Sequence, residues 1–275
     1  MTDTIIILAG GVSSRMKNSK NLKLSSKKTD QANNRSKGLI EIGGKPFINY
    51  LINNIVKAGF KEIIIVVGED NKLFKSIIEN NEDFTDLNIN FATQFIPKSR
   101  TKPFGTADAV YQTMCQYQEL KKKKFCVCNS DNLYSINALK LLRKCKTNQA
   151  LIAYDSDYLL YSKNRISRFA VMKFNMKNHL AEIIEKPNEK LIPENIDEKN
   201  KVRISMNIFL FNGNIIFKYL ENCPIHQIRN EKELPSAIMN MIDDKLNFIG
   251  IPVAEHVPDL TSKDDIINLE NYFIN

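Results

Sequence analysis

No apolar run in this chain is long enough to span a bilayer. The opening Met1-Thr2-Asp3 offers neither a basic stretch nor a cleavage site ahead of the first apolar segment, so a secretory leader is not expected. Cysteine is sparse and odd in number: Cys115, Cys126, Cys128, Cys145 and Cys223 make five. That excludes a disulfide framework and fits reduced thiols in a cytoplasmic protein. Cys126 and Cys128 fall on one face of an apolar run and read as small buried hydrophobes, not as a metal or redox pair. There is no internal repeat, no hexapeptide series of the kind that builds a left-handed β-helix, no linker-like stretch, and no Asp-x-Asp after the central apolar segment.

Charge is uneven. The net value is +8, and much of it lies between Lys17 and Lys37, where Lys17, Lys20, Lys23, Lys27, Lys28, Arg35 and Lys37 face a single acid, Asp30. This stretch has no aromatic residue, whereas proteins that bind single-stranded nucleic acid interleave cations with stacking rings. No nucleic-acid partner is therefore expected. Residues 17–36 read as a basic, mobile insert, with a phosphate-attracting lid as the other reading. Lys37 stands apart as a cation with a role of its own.

What is present is a regular alternation. At 275 residues and 43% hydrophobic content the chain can bury a full core, and it reads as one domain over 1–275. Strand-like apolar runs occur at Thr4–Leu8, Glu62–Val67, Asn88–Phe95, Phe125–Asn129 and Ile152–Tyr154. Helical patterns fall between them, from Pro46 to Val56 with Gly59 just beyond, from Asn71 to Glu79, from Gly105 to Leu120, and from Ser135. Continuous apolar strands separated by helices predict βαβ units and an α/β fold. The expected architecture is a Rossmann-like three-layer α/β/α sandwich with a mostly parallel central sheet. Beyond Asp155 the pattern changes. A strand pair is expected at Arg168–Phe174 and Leu180–Glu185, a long strand at Arg203–Phe211, helices at Gly213–Glu221 and Glu233–Asp243, a late strand at Phe248–Pro252 and a closing helix at Lys263–Phe273. Pro187–Lys201 reads as a loop.

In such sheets ligands collect at the carboxyl ends of the strands. Leu8-Ala9-Gly10-Gly11-Val12-Ser13-Ser14-Arg15-Met16 follows the first strand. Gly10 and Gly11 allow close approach of backbone N–H groups to an anion, Ser13 and Ser14 add hydroxyls, and Arg15 adds a planar permanent charge suited to phosphate. An ordinary tight turn is the alternative for the glycines alone. Asp131, after the fourth strand, is placed either as a Mg²⁺ ligand or as a turn or cap residue. Gly105-Thr106-Ala107 opens a helix with room for a flat base or ribose, or simply caps it. Glu185-Lys186-Pro187 sets an acid and a base at a strand end, where a solvated ion pair at a turn is by itself the plainer reading. Asn207 places an amide in an apolar strand, and such a group needs partners. Asp259 and Thr261 precede the last helix, where capping alone would account for them.

Taken together these segments resemble the sugar-1-phosphate nucleotidyltransferases, the pyrophosphorylases that make nucleotide sugars. The loop Leu8–Met16, the segment Lys37-Gly38-Leu39-Ile40-Glu41-Ile42-Gly43-Gly44-Lys45-Pro46, Gly105-Thr106-Ala107, Asp131, Glu185-Lys186-Pro187 and Asp259 with Thr261 occur in the family's order over nearly the whole chain. The resemblance implies the nucleotide-diphospho-sugar transferase type of fold and a Mg²⁺-dependent reaction of a nucleoside triphosphate with a sugar 1-phosphate. It also implies roles. Arg15, Lys37 and Asp131 would be catalytic, and Asp131 with Asp259 would hold the metal. Leu8, Ala9, Gly10, Gly11, Ser13, Gly105 and Thr106 would bind the nucleotide, and Glu185, Lys186, Asn207 and Ala170 the sugar phosphate.

Four departures stand out. The step from Arg15 to Lys37 is long, so the basic insert is expected to bulge near the triphosphate. Ser130 precedes Asp131 where the family often has Gly, Ala170 replaces a Gly beside the sugar, and Leu260 breaks the Asp-x-Gly-Thr pattern. A cytidylyltransferase acting on a small alcohol phosphate such as phosphocholine, a glycosyltransferase that consumes nucleotide sugars, and a non-catalytic regulatory subunit of the same fold remain alternatives. A homo-oligomer stays open, and no membrane partner is expected.

Overall fold

A computed structural model of the chain describes residues 1–185, 187 and 195–274. Its first part follows the expected alternation: β1 (Thr4–Leu8), α1 (Ser14–Asn18), α2 (Ser26–Asn34), a small hairpin of β2 (Glu41–Ile42) and β3 (Lys45–Pro46), α3 (Phe47–Ala58), β4 (Glu62–Val67), α4 (Lys72–Glu79), β5 (Asn88–Thr93), α5 (Thr106–Gln116), β6 (Lys124–Asn129), α6 (Ile136–Lys144) and β7 (Ala150–Asp155). The second part contributes α7 (Lys163–Ile166), β8 (Ala170–Phe174), β9 (Leu180–Ile184), β10 (Arg203–Ser205), β11 (Ile208–Asn212), α8 (Gly213–Glu221), the short pair β12 (Ile225–His226) and β13 (Glu231–Lys232), α9 (Leu234–Asp243), β14 (Ile249–Val253) and α10 (Lys263–Ile274).

Among the described residues ten strands form one sheet. Strands β5, β4, β1 and β6 run parallel side by side, and β14 runs parallel to β7. The central strands β1, β4 and β6 are apolar between their end residues, and successive side chains enter opposite layers. Ile5 and Ile7 join α3, α6 and α10 on one face, while Ile6 joins α5, α8 and α9 on the other. Each of these isoleucines is wholly buried and contributes about 1.5–3 kcal/mol. Cys126 and Cys128 share the first face and are buried there, as their spacing predicts. No helix among the described residues is long and apolar enough to cross a membrane.

Local signals set the helix ends. Helix α3 stops at Gly59, whose φ of 94° lets its N–H reach the last carbonyls. Helix α6 starts where the Ser135 hydroxyl accepts the Ala138 N–H at 3.0 Å.

The stretch expected as one long strand, Arg203–Phe211, is divided. Both β10 and β11 face the same edge of β7, since β14 occupies the other. The outer neighbour, however, changes from β8 along β10 to β6 along β11. The switch occurs at Met206–Asn207, where Asn207 takes a left-handed φ of 55°, a conformation Asn tolerates better than most residues. The break opens the sheet beside the carboxyl end of β6.

The basic insert is less of a loop than the sequence suggests. Ser25 caps α2 by accepting the Lys28 N–H, and Ala32 of that helix is buried in the core. The Gln31 side chain accepts the Glu41 N–H at 2.9 Å, Lys27 and Arg35 pair with Glu41, and Lys28 pairs with Glu270. Acids distant in the chain thus neutralise part of a charge run that looks solvated in one dimension.

The loop between β14 and α10 packs His256 edge-on against Tyr161 at 4.9 Å, and its Nδ1 accepts the Leu160 N–H at 3.1 Å. Burial, reinforced by the nearby Arg165 charge, pushes the ring's pKa down to about 4 from 6.5. The unfolded chain therefore takes up a proton at higher pH than the folded one. Stability is expected to be undiminished above about pH 6.5 and to fall by about 1–2 kcal/mol, after allowance for solvent screening, as the pH approaches 4. Urea titrations of the protein and of His256→Gln across this range check it: the substitution should flatten that part of the profile.

Candidate active site

A cleft of about 340 Å³ lies at the carboxyl ends of β1, β4 and β6. Leu8, Ala9, Gly10, Gly11, Ser13 and Arg15 form one wall, Gly105 and Thr106 another, and Lys37 and Asp131 close the end beyond β6. All ten expected nucleotide-binding and catalytic positions, Asp131 included, thus meet around one space. The reason is topological: β1 is central and pairs β4 on one side and β6 on the other, so the loops leaving these strands face one another.

The loop that follows β1 is shaped by two constraints. Ser13 adopts a left-handed φ of 58° at the entrance to α1, which turns the chain back over the strand end. Gly11 has nothing within 4 Å of the position a Cβ would take, whereas a Cβ on Gly10 would lie 3.3 Å from Gln94 Oε1. Arg15 is exposed beside this loop, and among the described residues it makes no ion pair, so its guanidinium is available to an anion.

Lys37 and Asp131 meet directly. The Lys37 Nζ is 2.8 Å from Asp131 Oδ2, and both side chains are largely buried. A pair this sheltered is screened less than one on the surface, and an incoming phosphate would compete for the lysine while a cation would compete for the carboxylate. Residues 132 and 259 form an antiparallel bridge, and the Leu260 N–H donates to the Asp131 carbonyl at 2.8 Å. Asp259 is thereby carried next to Asp131.

Asp259 is differently placed from Asp131. It is 7% exposed. Its Oδ2 accepts from Arg165 Nη2 and from the Thr261 hydroxyl, both at 2.7 Å, while Oδ1 faces the Asn132 amide at 3.3 Å. Burial and then the Asp131 charge raise its pKa, against the pull of Arg165. Arg165 also pairs with Asp265, and these two acids more than offset the effect of burial, holding its guanidinium above the ordinary value. Among the described residues no cluster of three or more His, Cys, Asp or Glu could hold a metal by itself. The donor set fits Mg²⁺ in the manner of phosphate enzymes, with one or two carboxylates plus substrate oxygens and water. Asp131 is accessible for that role, whereas Asp259 is bound at both oxygens.

The expected sugar residues lie farther along the same edge of the sheet and do not line the cleft. The Tyr134 hydroxyl donates to the Met206 carbonyl at 2.7 Å, with Asn207 O at 3.2 Å, and accepts the Asn129 N–H at 3.3 Å. This sets Asn207 beside the end of β6. Ala170 pairs with Ser205, and Val171 with Ile184, so Ala170 and Glu185 continue the row. Glu185 is held by Arg229 at 3.1 Å. Arg229 also pairs with Glu233, and contacts with Glu233 and Glu185 outweigh burial to keep its pKa high. Lys186 lies outside the described residues.

Several lining groups were not anticipated: Gln94, Lys102 and Glu231. Gln94 is 3% exposed, and its Nε2 donates to Gly105 O at 3.0 Å and Asp108 Oδ2 at 2.8 Å. Two acceptors on that side orient the amide, leaving Oε1 toward Gly10. Its position just past β5, at a parallel strand end, is the signal that could have marked it. Arg165 and Arg229 carry no such mark, because their partners Asp259 and Glu185 lie 94 and 44 residues away in the chain.

The family model for nucleotidyl transferase matches residues 4–252. This chain belongs to the nucleotidyl transferase family. Among curated relatives, a Methanococcus vannielii protein named bifunctional protein GlmU is 26% identical over 241 residues, covering 88% of this chain and 50% of the relative. A glucose-1-phosphate adenylyltransferase of Photobacterium profundum is 24% identical, covering 78% of this chain and 50% of its own. The chain thus spans about half the length of these relatives. A solved UDP-glucose pyrophosphorylase, in complex with UDP-glucose, superposes with a TM-score of 0.74 at 16% identity, covering 100% of this chain and 99% of that one. That likeness bears out the fold: a mostly parallel α/β sheet of the nucleotide-diphospho-sugar transferase type.

In this member of the nucleotidyl transferase family, Gly105 is the most crowded of the three glycines that line the cleft. Its φ is 104°, and a Cβ would lie 2.3 Å from the Lys232 carbonyl. The Lys232 N–H donates to Phe104 O at 2.7 Å, and the Leu234 N–H to Thr106 Oγ1 at 3.0 Å, so β13 is clamped against this wall. Gly105→Ala is expected to cost about 1–3 kcal/mol through overpacking and to loosen the β12–β13 pair. Thermal denaturation, with amide exchange over residues 225–234, measures both; an unchanged midpoint and unchanged exchange would contradict the clamp.

Proposed function

We propose that this chain transfers a nucleotidyl group from a nucleoside triphosphate to a sugar 1-phosphate, releasing pyrophosphate. The observation that carries the reading is the 2.8 Å pair of Lys37 and Asp131, set in one cleft with the Gly10-Gly11 loop, Arg15 and Gly105-Thr106. Family membership supports the transfer. A relative named glucose-1-phosphate adenylyltransferase and a fold neighbour solved with UDP-glucose support the sugar.

The chemistry is an in-line displacement. A phosphate oxygen of the sugar 1-phosphate attacks the α-phosphorus of the triphosphate. The bond from that phosphorus to the bridging oxygen breaks, and pyrophosphate departs with the electron pair. No protein nucleophile is required, so positioning and charge neutralisation do the catalysis. Backbone groups of Gly10 and Gly11 and the Ser13 hydroxyl receive the phosphates. Arg15 binds the triphosphate and offsets the charge that develops on it. Lys37, released from Asp131 by the substrate, moves to the α-phosphate. Gln94 offers Oε1 to a donor on the base, beside Gly105 and Thr106. Asn207, Ala170 and Glu185 form the sugar side, with Lys186 as the cation for the sugar phosphate. When bound, Mg²⁺ would neutralise phosphate charge from Asp131, and Asp259 would join as second ligand only if Arg165 releases its Oδ2.

Pyrophosphate release is to be measured with ATP, UTP, dTTP, CTP and GTP against sugar 1-phosphates and phosphocholine. One sugar pair should give Mg²⁺-dependent release; silence with every pair sinks the transferase reading, and release with phosphocholine alone moves it to a cytidylyltransferase. Arg15→Ala should lower turnover about 10³-fold, by analogy with arginines at other phosphoryl-transfer sites, and a rate barely altered removes Arg15 from the chemistry. Mn²⁺ titrations in the presence of triphosphate separate the acids. Asp131→Asn should weaken binding by about 10-fold or more. Asp259→Asn should change it by less than about twofold while Arg165 keeps its oxygen, and a loss equal to that of Asp131→Asn makes it a metal ligand.

A further inference from the structure

Lys263 is 5% exposed, at the first position of α10. An ammonium there is doubly costly: it is removed from water, and it sits at the positive end of a helix dipole. Among the described residues no carboxylate pairs with it. Its Nζ instead donates to the carbonyls of Lys17 at 3.1 Å and Ser19 at 2.7 Å. Lys17 lies in the last turn of α1, at the negative end of that helix, where a cation is favourable, and Ser19 is the extended residue that caps it. The backbone adds to the clamp. The Lys263 N–H donates to the Ser19 hydroxyl at 3.0 Å, and that hydroxyl donates to Met16 O at 3.0 Å. A third link joins the Asn21 amide to Asp264 at 2.7 Å.

Helix α1 has five residues and one buried side chain, Met16. A single turn of helix does not hold its shape in water without outside support. Its carboxyl end leads into the insert, whose helix α2 packs beside it, so α1 depends on Met16, on α2 and on the contacts with α10 for its place. Yet α1 carries Arg15, on the wall of the cleft.

We infer that Lys263 is a positioning residue for Arg15: its buried ammonium locks the carboxyl end of α1 to the start of α10 and so fixes the phosphate loop against the Asp259–Thr261 segment. Residues from the two ends of the chain then move as one body when a triphosphate binds. The kinetic part of this inference rests on the proposed transferase function; the structural part does not.

The test compares Lys263→Met, which keeps the stem and removes the charge, with Lys263→Arg and with Ser19→Ala, which removes one link only. In nucleotide-free protein, amide exchange over residues 14–19 should quicken by about 10-fold in Lys263→Met, as local opening becomes easier. With the substrate pair found by the pyrophosphate assay, KM for the triphosphate should rise and kcat fall by about 10-fold each, a scale set by the cost of small misplacements, while KM for the sugar phosphate stays within about twofold. Lys263→Arg should restore most of both. Unchanged exchange over 14–19 in Lys263→Met overturns the inference, as does an equal rise in KM for both substrates, which would mark general damage. If Lys263→Met fails to fold, Ser19→Ala decides: faster exchange at 14–19 supports the clamp and unchanged exchange overturns it. If no substrate pair turns over in the unaltered protein, the transferase reading falls and the exchange measurement alone judges Lys263.

Discussion

The central strands are buried on both faces, and that constraint governs where chemistry can occur. A strand such as β1 or β4 spends its side chains on two apolar layers and keeps polar residues only at its first position, where Thr4 donates to Glu62 at 2.6 Å. Polar and charged residues are therefore confined to the points where strands end. Because β1 lies between β4 and β6, all parallel, three such ends open side by side. The cleft is the space their loops enclose. The interruption between β10 and β11 extends the same edge toward Asn207 by withdrawing a neighbour from β6.

Electrostatically, the site keeps its charges in pairs. Lys37 holds Asp131, Arg165 holds Asp259, and Arg229 holds Glu185. Each acid expected to touch substrate or metal thus has a cation beside it, which reduces the cost of gathering carboxylates in a sheltered place. Arg15 differs. It is exposed, unpaired among the described residues, and adjacent to the glycine loop, so its charge is left open to the cleft. The pairs also differ from one another: Lys37–Asp131 opens onto the cleft, while Asp259 is bound at both oxygens and buried.

Much of this was legible in one dimension. The apolar runs gave the strands, Gly59 and Ser135 marked helix ends, and Gly10, Gly11 and Arg15 pointed to the loop that lines the cleft. Gathering of Leu8 to Arg15, Lys37, Gly105, Thr106 and Asp131 in one cleft followed from the rule that ligands sit at parallel strand ends. The insert was harder. Read alone, Lys27, Lys28 and Arg35 look solvated, because their partners Glu41 and Glu270 belong to other elements and the burial of Ala32 depends on a core that composition does not reveal. The break at Asn207 was hidden for a related reason. The stretch from Arg203 to Phe211 has no glycine or proline at Met206–Asn207, and only the change of neighbour from β8 to β6 requires the chain to bend there.

The sequence by itself determined the layers, the family's motifs and the glycine loop after the first strand, because these rest on residue type and short-range spacing. The tertiary structure alone decided which charges meet. Arg165 reaches Asp259, Arg229 reaches Glu185, and Lys263 reaches the carbonyls of Lys17 and Ser19. Those contacts join residues far apart in the chain, and hydrogen bonds of about 3 Å depend on distances in space that no pattern along a chain encodes.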